Sequence, residues 1–119
     1  ALRGVPNAVL VPVRITFSTE TPPRSLDEQA ASRFVGMAEA AVRYMQSRKV
    51  RVCNISWGFT PRDIESNLHQ SGAEQDSEKR PLRARRIFET MLNGIAEAIE
   101  SAPEILFVVS AGNDGQDID

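Results

Sequence analysis

Cysteine is nearly absent. Cys53 stands alone, so no disulfide can form within the chain. That leaves the compartment open, because a chain without disulfides fits either side of a bacterial membrane. Charge excess is also missing. The net charge is −2, so no basic field advertises nucleic acid or anionic lipid. No apolar run approaches the roughly 18 residues that a spanning helix needs. The amino-terminal stretch has no charged start followed by an apolar segment of the kind that directs export. Neither a G-x-G-x-x-G nor a G-x-x-x-x-G-K-[ST] phosphate loop occurs, which removes the usual nucleotide-binding modules. There is no internal repeat and no low-complexity tract.

What is present suits one soluble globular domain. The chain has 119 residues, 41% of them hydrophobic and 25% charged, enough for one domain and not comfortably for two. "AVLVPVRITF", Ala8 to Phe17, is β-branched and nearly continuous, and predicts a strand buried on both faces. Pro12 interrupts it, since proline cannot donate to a strand ladder. "STETPPR" follows as a loop. Ser25 and Glu28 have capping-box spacing and predict a helix start. Leu26, Ala30, Phe34, Ala38, Ala41 and Met45 then form a stripe at three- and four-residue steps, widened by Val35 and Val42. Arg48 and Lys49 suit the carboxyl end of that helix.

"VRVCNISWG", Val50 to Gly58, predicts the second strand. Residues 59–80 are polar and read as a long excursion, in which Thr60 and Pro61 have the pattern of a short helix start. A second long helix is predicted from about Leu82 to Ser101, with Ile87, Met91, Ile95 and Ile99 in one row and Phe88, Leu92 and Ala96 beside it. Ala102-Pro103 stops it. "EILFVVSA" is the third strand. The order β-α-β-α-β, with crossovers of more than ten residues, predicts an α/β fold with a parallel sheet. In such sheets ligands bind beyond the carboxyl ends of the strands. "NISWG" and "SAGNDG" both fall there.

These two strand ends, with "GVPNAVLVPVRI" before them, resemble the landmarks of the subtilisin-like serine proteases, the subtilases. The landmarks come in the family's order, and the resemblance covers nearly the whole chain. It implies the central part of a three-layer α/β/α peptidase domain, spanning residues 1–119 as a single partial domain, with 59–80 as a polar insertion. It implies that Asn113 is the oxyanion-hole residue and that Gly112 lets the backbone approach substrate without a side chain. Ser56, Trp57 and Gly58 match the segment that pairs with the substrate backbone and walls its primary specificity pocket. Ser110, Ala111 and Gly112 match the opposite wall, and the loop from Thr16 to Arg24 another edge of the cleft. The implied substrate is a peptide or protein, and the implied location is secreted or cell-envelope. No cofactor is evident. Family members of full length can hold structural calcium, for which no site is assignable in this sequence.

The departures are equally specific. The family's aspartate, histidine and serine lie in D-T/S-G, H-G-T and G-T-S-M-A motifs, and none of the three occurs here. The one histidine, His69, lies in the polar excursion. The chain therefore reads as an internal piece of a peptidase domain, carrying the oxyanion hole and cleft walls without a triad, and inactive by itself. The alternative is a non-catalytic α/β binding module or an inactive subtilase homologue. Taken alone, "AGNDG" is a plain strand-to-turn junction. Trp57 reads equally as a packing residue and as a specificity determinant. Cys53 reads as buried and inert, and His69 as a solvated loop residue. Lys79, Arg80, Arg83, Arg85 and Arg86 follow Glu74, Asp76 and Glu78 and read as a locally neutralised surface, with no sequence reason for cations at a helix start. Nucleic-acid and membrane partners are not expected. Self-association, as a symmetric dimer, is expected from sheet edges and apolar faces left uncovered.

Overall fold

The computed structural model describes residues 7–13 and 25–111. Its elements run α1 (Glu28–Ser47), β1 (Val52–Ile55), α2 (Pro61–Gln70), α3 (Lys79–Glu100) and β2 (Leu106–Val109). β1 and β2 pair in parallel, with Val52 opposite Leu106 and Cys53 opposite Phe107. Cys53 and Phe107 turn toward α1 and α3 and pack on a core of Val42, Met45, Ala98, Ala102 and Ile105. Side chains alternate across a strand, so Val52, Leu106 and Val108 face the other way, and all three are exposed. The described residues thus supply a parallel sheet and one helical layer over one of its faces.

The first predicted strand differs. Over residues 8–13 it is neither strand nor helix, and Val9 is 87% exposed. Pro12 lies within this part and has no N–H to give a neighbouring strand. Arg14 to Phe17 lie outside the described residues.

α1 begins two residues past the expected Ser25 box, because Asp27 is the cap. Its Oδ1 accepts from the Ala30 amide at 2.9 Å, satisfying one of the unpaired first-turn donors. Glu28 does not reach back. Its carboxylate accepts from Arg83 at 2.9 and 2.8 Å, while Ser25 Oγ is buried with no hydrogen bond among the described residues. The buried face is turned slightly from the expected stripe: Ala31, Val42 and Met45 are its innermost residues.

The excursion after β1 is the largest correction. Thr60 and Asp63 close a full capping box, with Pro61 opening the helix. α2 then buries Ile64 and Leu68 completely, each 0% exposed. They join Ala31, Ala84, Ile87 and Met91 in a second core between the three helices. Spacing of four places both on one helix face, so a segment polar in composition still carries an apolar stripe. Across the bundle, α3 comes so near α1 that a Cβ on Gly94 would collide with Val35.

α3 starts three residues before the expected Leu82. Pro81 sits in its first turn, where a missing N–H costs no helical hydrogen bond. Asp76 supplies the cap from outside, its Oδ1 accepting from the amides of Glu78 and Lys79 at 2.9 and 3.3 Å. These bonds hold the Asp76 carboxyl below its usual range, the Glu78 amide contributing most.

Candidate functional site at the strand ends

Parallel pairing brings the carboxyl ends of β1 and β2 to the same edge. The Ser110 amide donates to the Ile55 carbonyl at 3.0 Å, one step beyond the ladder. Ser56, Trp57 and Gly58 therefore leave the sheet beside Ser110 and Ala111, and all five are exposed. Asn54 Nδ2 donates to Ser56 Oγ at 2.6 Å across the turn out of β1. The space where a Gly58 side chain would stand is open, which leaves that backbone accessible. Gly112 and Asn113 lie outside the described residues, as does the whole loop from Thr16 to Arg24.

Trp57 is both packed and open. It is 42% exposed, yet its ring meets Phe34 edge-on at 5.6 Å and stacks on Phe59 at 6.1 Å. Phe59 in turn meets Phe34 at 5.4 Å and Phe88 at 6.4 Å, both edge-on. Such arrangements suit the ring quadrupoles. Phe34 belonged to the helical stripe read from the sequence, but the cluster as a unit was missed. The signal was the W-x-F spacing directly after a strand, which places Phe59 within reach of both the tryptophan and the helix that follows.

The arginines at the start of α3 form cross-links. Arg83 holds Glu28 of α1 through two bonds, donates to the Ala73 carbonyl at 2.7 Å and lies 3.8 Å from Glu74. Arg80 lies 3.7 Å from Glu65 of α2 and donates to the Gln75 carbonyl at 3.3 Å. Arg85 pairs with Glu89 one turn on, at 3.0 Å. Cations stand at this helix start because they tie α1, α2 and the connecting loop to α3, which outweighs the weak cost against the helix dipole. The Arg83 hydrogen bonds, and then the Glu28 backbone amide, hold the Glu28 carboxyl down to about 2.

The remaining polar candidates sit elsewhere. His69 is exposed, as expected, but it lies on a helix, in the last turn of α2, with Nδ1 3.3 Å from Arg80 Nη1. At 1.5 Å rise per residue it is about 14 Å along α2 from the Thr60 end that adjoins the strand edge. Cys53 is half-buried, and desolvation pushes its thiol up, so the reactive thiolate is disfavoured at neutral pH. A groove between α2 and α3, with Pro61, Pro81, Phe88 and Leu92 among its walls, has no hydroxyl, thiol or imidazole among the described residues that line it. Among the described residues no cluster of three or more His, Cys, Asp or Glu side chains is placed to hold a metal ion, and no helix is long and apolar enough to cross a membrane.

A search of the curated proteins gave no match, and a search of the solved structures gave none. The family model of the subtilases matches residues 2–119. That span includes both strand ends and the helices that support them, and the chain belongs to the subtilase family, a family of serine-type peptidases.

Proposed function

We propose that this chain is part of a subtilisin-like serine endopeptidase, secreted or held at the cell envelope, and that it contributes the oxyanion donor and two walls of the substrate cleft. Asn113 donates its side-chain amide to the oxygen of the tetrahedral intermediate. Ser56, Trp57 and Gly58 form one wall against an extended peptide, and Ser110, Ala111 and Gly112 form the other. The observation that carries this reading is the junction of the two strand ends. The bond from the Ser110 amide to the Ile55 carbonyl sets the chain leaving β1 beside Ser110, where the second landmark begins, at one edge of the sheet, where ligands of parallel sheets bind. The exposed backbone at Gly58 agrees with an edge that pairs with peptide.

Chemically, hydrolysis of a peptide bond builds negative charge on the former carbonyl oxygen. A rigid amide donor lowers that barrier because its bond strengthens as the charge develops. The nucleophile, base and orienting carboxylate are supplied by regions that carry the family's triad motifs. Those motifs are absent from this sequence, so the isolated chain is not labelled by a serine-directed fluorophosphonate.

The test is Asn113→Ala in the peptidase that carries this segment. In a subtilisin, loss of such a donor is known to cost about 100- to 1000-fold in kcat. The same loss is expected here, with KM little changed. An unchanged kcat would overturn the assignment of Asn113. A parent protein that neither cleaves peptides nor takes the fluorophosphonate would favour the binding module or the inactive homologue.

A further inference from the structure

The edge after β1 is held in an unusual way. Beyond Ile55, no main-chain hydrogen bond among the described residues fixes residues 56–59. Their order comes from side chains. Asn54 holds Ser56, and the aromatic cluster holds Trp57. Within that cluster Phe59 has a distinct position. It stacks on Trp57 at 28° between ring planes, meets Phe34 and Phe88 edge-on, and packs on the core that contains Ile64 and Leu68. The next residue is locked in turn: the Thr60 amide and hydroxyl both donate to Asp63 Oδ2, at 2.6 and 2.8 Å. Phe59 is therefore fixed from behind by the cap of α2 and in front by the indole.

We propose that Phe59 is a positioning residue for peptide binding, which holds Trp57 and so aligns the Ser56–Gly58 edge, with α2 as its foundation. This rests on the reading of that edge as the peptide-binding wall. Its physical basis is that a half-exposed indole without a rigid backing would sample several rotamers, and each would have to be frozen out when peptide binds. A stacked ring tied to a buried core removes that cost in advance. The 59–80 segment then serves the cleft although it contributes no residue to it.

Two measurements test this. In the peptidase that carries the segment, Phe59→Leu keeps an apolar side chain of similar bulk and removes the ring. KM for extended peptides should rise about three- to tenfold, the range one aromatic pair commands, with kcat unchanged. Phe59→Tyr should restore KM. In this chain Trp57 is the only tryptophan, so its emission reports the site directly. Phe59→Leu should shift that emission to the red and increase quenching by acrylamide, with helix content by circular dichroism unchanged. Unchanged KM and unchanged emission would overturn the proposal. So would a parallel loss of kcat and helix content in both variants, which is the signature of core filling alone. A wild-type protein without peptidase activity overturns the proposed function and the substrate half of this inference together, while the emission arm still decides whether Phe59 holds Trp57.

Discussion

At the scale of the residue, the ion pair between Glu28 and Arg83 has a consequence for acid stability. Folding lowers the Glu28 carboxyl from 4.5 to about 2. Between those values the unfolded chain binds more protons than the folded one. The pair's contribution is therefore full above about pH 4.5 and is lost as pH falls through 2. Glu28's side chain is 65% exposed, so solvent screening reduces the contribution to roughly 0.5–1 kcal/mol. Glu28→Gln should lower the unfolding free energy from urea titration by that amount at neutral pH, and the two proteins should converge as pH falls to about 2 and below. A constant difference across the range would show that the charge is not what matters. The pair also marks a limit of reading residues from sequence. Ser25 and Glu28 have the spacing of a cap, and Asp27 lies between them. Spacing alone does not reveal that Arg83, distant in the chain, will claim the Glu28 carboxylate and leave the cap to Asp27. Asn113 lies outside the described residues, and the role proposed for it rests on the motif order, not on any local periodicity.

At the scale of the element, α1 and α3 approach closely. Gly94 lets the two helices close over Val35. Gly94→Ala gains about 1 kcal/mol in helix propensity, but overpacking costs about 1–3 kcal/mol, and Val35, branched at its Cβ, has little freedom to retreat. A net loss of about 1 kcal/mol is expected, read as a melting temperature lower by roughly 3–6 °C. A higher melting temperature would mean that the helices part without cost. The long helices were legible because their apolar residues recur over many turns. α2 was legible only at its start, where Thr60 and Pro61 announce it. Its two large aliphatic residues, Ile64 and Leu68, are too few to establish a period, so its place in the core emerges only once α1 and α3 enclose it. The stretch from Ala8 to Val13 erred in the opposite sense. Its β-branched composition suits a strand, but a strand also needs a neighbour that tolerates Pro12, and β1 and β2 pair with each other instead.

At the scale of the whole molecule, the described residues cover the sheet on one face only. Val52 and Leu106, opposite one another in register, are 59% and 62% exposed, and Val108 extends the patch. Exposed apolar faces of this kind favour association, and each outer edge of a two-stranded sheet offers unpaired main-chain groups. The chain by itself is expected to form a dimer at micromolar concentration, measured by light scattering coupled to size exclusion. A monomer that stays cooperatively folded across a wide dilution range would refute this. The pairing of β1 with β2 has one more consequence, which concerns the order of assembly. The paired strands lie on either side of α2 and α3 in the chain, so their union closes a long loop, whereas α2 and α3 are neighbours in sequence. Loop closure is slow when contacts are distant. On that ground the helical pair is expected to condense first and shorten the gap, with the strands joining late. An edge formed late by few hydrogen bonds is also among the first to open. Among the described elements, the amides of the strand-end junction should thus exchange with solvent sooner than those in the middle of α1 and α3, as hydrogen exchange would show.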